Sequence, residues 1–256
     1  MMTGERLKLC SCEVSRRLLK IAEEKESILA VAADVTTKKD LLELAESVGP
    51  HICILKTHID IISDFDWELI LRLKELASRY NFLIFEDRKF SDIGSTVKKQ
   101  YAEGLYKISE WADIVNAHII PGEGVILGLR EAGLPRRRAL LLIAQMSSNN
   151  FITPEYTKKC VELAEKYSDF VMGFISLGKI SDNLGFMNFT PGISFENKKD
   201  NLGQRYLTPE EAVGKNKTDI IIVGRDIYNF SSPGERAKEY RELSWKLKRW
   251  QEKNVL

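Results

Sequence analysis

Short runs nearly continuous in Val, Ile, Leu, Ala and Phe alternate along the chain with longer stretches whose apolar positions recur every three or four residues. The short runs are Ile28–Asp34, Ile52–His58, Phe82–Asp87, Asp113–His118, Leu140–Met146, Phe170–Ile175, Gly185–Thr190 and Asp219–Gly224. Continuous rather than alternating apolarity is the mark of strands buried on both faces. Between them, Lys39–Val48, Glu68–Tyr80, Val97–Ile108, Gly124–Ala132, Pro154–Tyr167 and Glu235–Trp250 carry helical periodicity, and Thr208–Val213 predicts a short, weak helix. Eight β-α units in 256 residues predict an α/β fold, a closed (β/α)8 TIM barrel occupying residues 1–256 as one domain. The alternative is an open doubly wound sheet, but no G-x-G-x-x-G follows the first strand. Val14, Leu18, Leu19, Ile21 and Ala22 predict an extra N-terminal helix that plugs or flanks the barrel bottom.

Charge narrows the picture. The chain has 38 Lys+Arg against 37 Asp+Glu, so nothing marks a nucleic-acid or anionic-membrane binder. Lys246, Lys248 and Arg249 read as the solvated face of a last helix. No run reaches the roughly 18 apolar residues of a membrane span, and the N-terminus lacks the apolar core of a signal peptide. Cys53 and Cys160 fall within apolar patterns, Cys10-x-Cys12 is too tight for a usual zinc pair, and the three histidines are scattered. These features predict a reduced, metal-free, cytoplasmic enzyme.

In a barrel of this kind the chemistry lies at the C-terminal ends of the strands. Polar groups stand at nearly all of them: Asp34, Lys56-Thr57-His58, Asp87-Arg88-Lys89, Asn116-Ala117-His118, Gln145-Met146-Ser147-Ser148, Thr190-Pro191-Gly192 and Gly224-Arg225-Asp226. Asp87, Lys89 and Asp92 form an acid-x-base-x-x-acid cluster, with alternation placing the first two on one side of a strand end. Crowded ionisable groups shift one another's pKa values; a solvated charged loop is the plainer alternative. Lys56, after Ile52-Cys53-Ile54-Leu55, calls for a carboxylate partner, and Asp34 and Asp87 are on offer. Asp34 could instead cap the helix that follows it. His58 and His118 suit structural hydrogen bonding better than acid–base work. Pro191-Gly192 and Gly224-Arg225 fall after strands seven and eight, where barrels commonly hold phosphate on backbone N–H groups and an arginine fork.

F-E-D-R-K-F-x-D-I-G-x-T at Phe85–Thr96, with L-K-T-H upstream and D-N-L-G-Q-x-Y and I-I-V-G-R downstream, resembles the orotidine 5′-monophosphate decarboxylase family. The likeness is to the eukaryotic type, including the C-terminal domain of bifunctional UMP synthases, and runs from about Ile28 to Trp245. It implies conversion of orotidine 5′-monophosphate to UMP without cofactor or metal. It also implies a charged catalytic network of Lys56, Asp87, Lys89 and Asp92, with Lys89 as proton donor. Ribose contacts would come from Asp34, Lys56 and Thr96, pyrimidine contacts from Ser147 and Gln204, and the phosphate grip from Tyr206, Gly224 and Arg225. His58 and Pro191 would complete the substrate-binding set. Asp92 and Thr96 would reach the partner subunit's site, making a homodimer with shared active sites.

The chain departs from the family pattern at four places. Ala32 stands where serine is usual, Gln145 where glutamate is usual, the loop Ser148–Ile152 around Asn150 lacks its glycine, and Asp226 replaces a glycine. Near a phosphate, Asp226 is expected to point outward or pair with a cation, Arg225 being nearest in sequence. A sibling barrel acting on another phosphorylated substrate with magnesium, and a non-catalytic nucleotide binder, are the alternatives.

Overall fold

The computed structural model describes residues 3–148, 150–196, 203 and 206–254. Its eight strands are β1 (Leu29–Ala33), β2 (Ile54–Thr57), β3 (Leu83–Phe90), β4 (Ile114–Ala117), β5 (Ala139–Ile143), β6 (Val171–Ile175), β7 (Met187–Pro191) and β8 (Ile220–Val223). All pair in parallel, each with its sequence neighbour, and β8 closes onto β1. Every predicted strand is present, and the (β/α)8 barrel stands in place of the open sheet. Phe85 of β3 and Phe189 of β7, from opposite walls, meet edge to face at 6.5 Å and fill the interior beneath the barrel mouth.

The outer layer is α3 (Lys38–Val48), α4 (Trp67–Tyr80), α5 (Gly94–Ala102), α6 (Gly124–Gly133), α7 (Pro154–Lys166), the four-residue α8 (Arg225–Tyr228) and α9 (Pro233–Asn254). The caps are chemical: Thr37, Asp66 and Thr153 each accept an N–H from the first turn of α3, α4 and α7. The cap of α3 is therefore Thr37, which leaves Asp34 free for the barrel mouth. Helix α5 is packed so closely on α6 that a side chain at Gly128 would lie 2.1 Å from the Gly94 carbonyl oxygen. That contact fixes the loop carrying Asp92.

Two expectations change. Of the eight predicted β-α units, the sixth has no helix: between β6 and β7 the chain turns instead, Ser181 Oγ accepting the Asn183 N–H and Asn183 Oδ1 the Gly185 N–H. Such local side-chain bonds offer the backbone an alternative to the helical ladder. The weak Thr208–Val213 segment becomes one π-helical turn, Glu210–Lys215, behind a reciprocal Thr208–Glu211 capping box.

The N-terminal segment forms two helices, α1 (Thr3–Leu9) and α2 (Glu13–Lys25), where one was expected, and α2 buries Val14, Leu18, Leu19, Ile21 and Ala22 as predicted. They seal the bottom through two buried carboxylates at strand starts. Asp113 accepts the Ile84 N–H at 3.0 Å and pairs with Arg17 and Arg138. Asp219 accepts the Asn188 N–H at 2.9 Å and pairs with Arg6 and Lys248. Lys248 is thus a bottom seal and not part of a solvated face. Burial works against the Asp219 charge, but Arg6 and Lys248 overcome it and hold its pKa far below the usual carboxylate range.

A carboxyl with a depressed folded pKa stabilises above its unfolded pKa and loses that contribution as pH falls. Arg6→Ala should therefore cost about 2–4 kcal/mol in urea unfolding at about pH 7. The difference from wild type should shrink at about pH 3; an equal difference at both would remove Asp219 from this role.

Candidate active site

The strand ends surround a cavity of about 270 Å³ at the C-terminal mouth of the barrel. β1 and β2 deliver Asp34 and Lys56 side by side, because Ala33 pairs with Thr57 and Ala32 with Lys56. Lys56 Nζ lies 3.1 Å from Asp34 Oδ1 and 3.0 Å from Asp87 Oδ2, and Asp87 Oδ1 accepts from Lys89 Nζ at 2.6 Å. The result is an alternating file, Asp34–Lys56–Asp87–Lys89. The sequence expectation for Lys56 holds: both carboxylates on offer are its partners. Burial opposes the Lys56 ammonium, but Asp87 and Asp34 raise its pKa above the ordinary value. Burial likewise opposes the Asp87 carboxylate, and Lys56, His58 and Lys89 together hold it well below the usual range. Both charges therefore persist across the physiological range.

The tip of β3 is not a regular strand. Glu86 pairs with Val115 and Phe90 with Ala117, so Asp87, Arg88 and Lys89 bulge opposite the single residue Asn116. Lys89 takes a left-handed conformation, φ 49°, which costs a non-glycine residue on the order of 1 kcal/mol. Bulge and turn together aim Asp87 and Lys89 into the same cavity. His58 Nε2 sits 3.2 Å from Asp87 Oδ2, whereas His118 Nδ1 faces the Tyr156 hydroxyl at 3.5 Å.

On the other side of β1, Pro191, Gly192, Tyr206, Gly224 and Arg225 line the wall after β7 and β8. Arg225 stacks over the Tyr206 ring at 5.7 Å. Gly192 has φ 74°, which lets its backbone turn at the cavity edge. Ser147 lines the wall between the two halves. The arrangement offers a charged pole on β1–β3 and an anion-binding pole after β7 and β8. Among the described residues, no cluster of three or more His, Cys, Asp or Glu side chains is placed to hold a metal ion.

The family model "Orotidine 5'-phosphate decarboxylase / HUMPS family" matches residues 27–240. This chain belongs to that family. An orotidine 5'-phosphate decarboxylase from Rhizopus oryzae is 51% identical over 246 residues, 94% of this chain and 93% of that protein. One from Schizosaccharomyces pombe is 50% identical over 237 residues, 91% of this chain and 89% of that protein. A uridine 5'-monophosphate synthase from Bos taurus is 50% identical over 233 residues, which span 91% of this chain and 48% of that longer protein. The crystal structure of an orotidine 5'-monophosphate decarboxylase from Methanocaldococcus jannaschii, complexed with the inhibitor BMP, matches with a TM-score of 0.66 at 23% identity. It covers 84% of this chain and 97% of that one, and shows the same fold.

Of the four departures from the orotidylate decarboxylase pattern, Ala32 lines the cavity, as does Ser148 at the start of the loop after β5. Gln145 turns away to accept the Leu177 N–H at 2.9 Å, and Asn150 is exposed, folding back on Met146 and Ser148. Asp226 points out of the cavity as expected, but its cation is Arg236 of α9, at 3.0 Å, and not Arg225. The Tyr240 hydroxyl and the Phe195 N–H also donate to it.

Two other expected site residues, Asp92 and Thr96, do not line the cavity: Asp92 is exposed and accepts the Ile93 N–H, and Thr96 sits in the first turn of α5. Gln204 lies outside the described residues. Two residues were missed. Asn116 lines the cavity and donates to Asp87 at 2.7 Å; its place at the end of a predicted strand was the available signal. Glu86, fully buried behind the site, accepts the Thr57 hydroxyl at 2.6 Å and the Ile59 N–H at 3.0 Å, so it anchors the chain on either side of His58.

Burial pushes the Glu86 carboxyl up to about 8, with the Thr57 and Ile59 bonds opposing it. A raised folded pKa means stability that is full below the unfolded value, near 4.5, and lost as pH rises through about 8. Glu86→Gln should remove that slope. Its thermal midpoint, relative to wild type, should improve by several degrees between about pH 5 and pH 8. Parallel midpoints across that range would show that Glu86 is ionised throughout.

Proposed function

We propose that this barrel decarboxylates orotidine 5'-monophosphate to UMP, the last step of de novo pyrimidine biosynthesis, using no cofactor and Lys89 as proton donor. The observation that carries the reading is the file Asp34–Lys56–Asp87–Lys89 at the barrel mouth of a chain from this family. Breaking the bond to the carboxylate leaves an electron pair on the ring carbon, with no cofactor to absorb it. An ammonium beside that carbon interacts more strongly as the charge develops than in the ground state, which lowers the barrier, and then transfers its proton to the carbon. Asp87 beside the departing carboxylate adds a ground-state repulsion of about 4 kcal/mol at about 4 Å and an effective dielectric of about 20. That repulsion is relieved as carbon dioxide forms, and it has a minor share.

Substrate is held from the far side. Gly192, Gly224, Arg225, Tyr206 and Pro191 take the phosphate, Asp34, Lys56 and His58 the ribose, and Ser147 with Gln204 the pyrimidine. The phosphate contacts are remote from the reacting carbon, so their binding energy orients the ring. A second copy of the chain completes the site with Asp92 and Thr96. Supporting this homodimer, Asp92 is exposed on a rim that also exposes Ile93 and Ile120, at 61% and 73%. No helix among the described residues is long and apolar enough to cross a membrane. All four cysteines are free, which suits a reducing cytoplasm.

Loss of orotidylate absorbance on adding the protein, unchanged by EDTA, is the primary test. Activity that EDTA abolishes, on a sugar phosphate instead, would replace this reading with the magnesium-dependent sibling. Lys89→Ala should cost at least about 4 kcal/mol of transition-state stabilisation, roughly a thousandfold in rate, with UMP affinity little changed. More than about one-hundredth of the wild-type rate would take the proton-donor role from Lys89. Lys89→Ala and Asp92→Asn homodimers should each be nearly inactive. After mixing and re-equilibration, roughly a quarter of all sites should be intact, since each heterodimer pools both lesions in one site. No recovery, with heterodimers shown to form, would place Asp92 outside its partner's site.

A further inference from the structure

We propose that Asn116 is the positioning residue that holds Lys89 and Asp87 in catalytic register. The proposal rests on the decarboxylase reading given above and names what keeps its central pair in place. Asn116 is 1% exposed and faces the bulge of β3, where one residue of β4 stands opposite three. A bulge strands backbone donors that regular strand pairing would have satisfied. The Asn116 carboxamide takes over: its Oδ1 accepts the Lys89 N–H at 2.7 Å and its Nδ2 donates to Asp87 Oδ1 at 2.7 Å. The orientation is fixed by its partners, because a backbone N–H only donates and a carboxylate only accepts.

One planar group therefore does two things. It secures the N–H of a residue whose left-handed φ of 49° the chain would otherwise tend to abandon. It also leaves Asp87 Oδ1 shared between Asn116 and the Lys89 ammonium, at 2.6 Å from the latter, while Oδ2 serves Lys56. Asn116 itself brings no charge and no exchangeable acidic proton to the reaction. Its part is to set where the Lys89 ammonium stands relative to Asp87.

Two substitutions separate this role from simple structural support. Asn116→Ala removes both bonds; kcat should fall by about a hundredfold, the scale of a misplacement near 1 Å. UMP affinity should stay within about threefold, because the phosphate and ribose anchors lie on other strands. Asn116→Asp is nearly isosteric and keeps the acceptor for Lys89, but it sets a second carboxylate against Asp87. When protonated, that carboxyl carries one donor and one acceptor, as the carboxamide does. Asn116→Asp should therefore regain activity as pH is lowered, whereas Asn116→Ala should not. The charged and titratable groups facing the pair are Asp34 just after β1, Lys56 on β2 and His58 just after it, Asp87 and Lys89 on β3, and His118 just after β4. All are present in both variants, so their own titration cancels in the comparison.

Wild-type turnover of orotidylate is measured first, and its absence would overturn the functional reading and not the role of Asn116. With wild type active, three results would each overturn the proposal. They are a kcat within threefold of wild type for Asn116→Ala, an equal loss of kcat and UMP affinity, or an Asn116→Asp profile parallel to that of Asn116→Ala.

Discussion

The barrel mouth depends on one ammonium kept almost out of water. Lys56 Nζ has a side chain 7% exposed and stands between two carboxylates at 3.0 and 3.1 Å. Burying such a charge costs several kcal/mol, and removing one partner of a buried pair leaves the other uncompensated. The compensation propagates. Asp87, drawn in to neutralise Lys56, needs Lys89, His58 and Asn116 for its remaining hydrogen-bonding capacity. Each of these in turn fixes the end of a different strand. The charged file is thus a structural brace, and its alternation of acidic and basic groups is what lets four such side chains share a small space.

The opposite end of the barrel handles buried charge for stability alone. Asp113 and Asp219 sit at strand starts, accept backbone N–H groups from neighbouring strands, and are covered by arginines and a lysine from α1, α2 and α9 and from the loop before β5. The two carboxylates are 12% and 8% exposed. At the mouth, by contrast, the Lys89 side chain remains 39% exposed and Asp34 also 39%. That is the division expected of a barrel whose bottom face holds the fold and whose top face does chemistry.

Asp226 shows how a family position can change without disturbing the site. Its carboxylate turns away from the cavity into a cluster of Arg236, Tyr240 and Phe195, in which the Phe195 and Tyr240 rings stack at 3.9 Å and Arg236 lies 4.4 Å above Phe195. Burial opposes its charge, and Tyr240 and Arg236 still hold its pKa below the ordinary value. The carboxylate ties the loop after β7 to α9.

How much of this was legible in the chain follows from the range of the interactions. Periodicity reports burial, so all eight strands and the apolar face of α2 could be read directly, as could the collection of polar groups at strand ends and the pairing of Lys56 with Asp34 and Asp87. Family motifs named Lys89 and Asp87 as a pair. Sequence could not show that the β3 tip bulges, because a bulge is a mismatch between two strands and exists only when β4 lies alongside. For the same reason Asn116 looked like one polar strand end among many, and Glu86 like an unremarked position within the strand Phe82–Asp87. Nor could it show that Lys248 reaches across to Asp219, 29 residues away, or that Asp226 prefers Arg236 to its neighbour Arg225. Local pattern determined which residues are buried and which faces they share. Only the closed barrel decided which charges meet, because partner choice is set by side-chain distance in space, and that distance is not a function of separation along the chain.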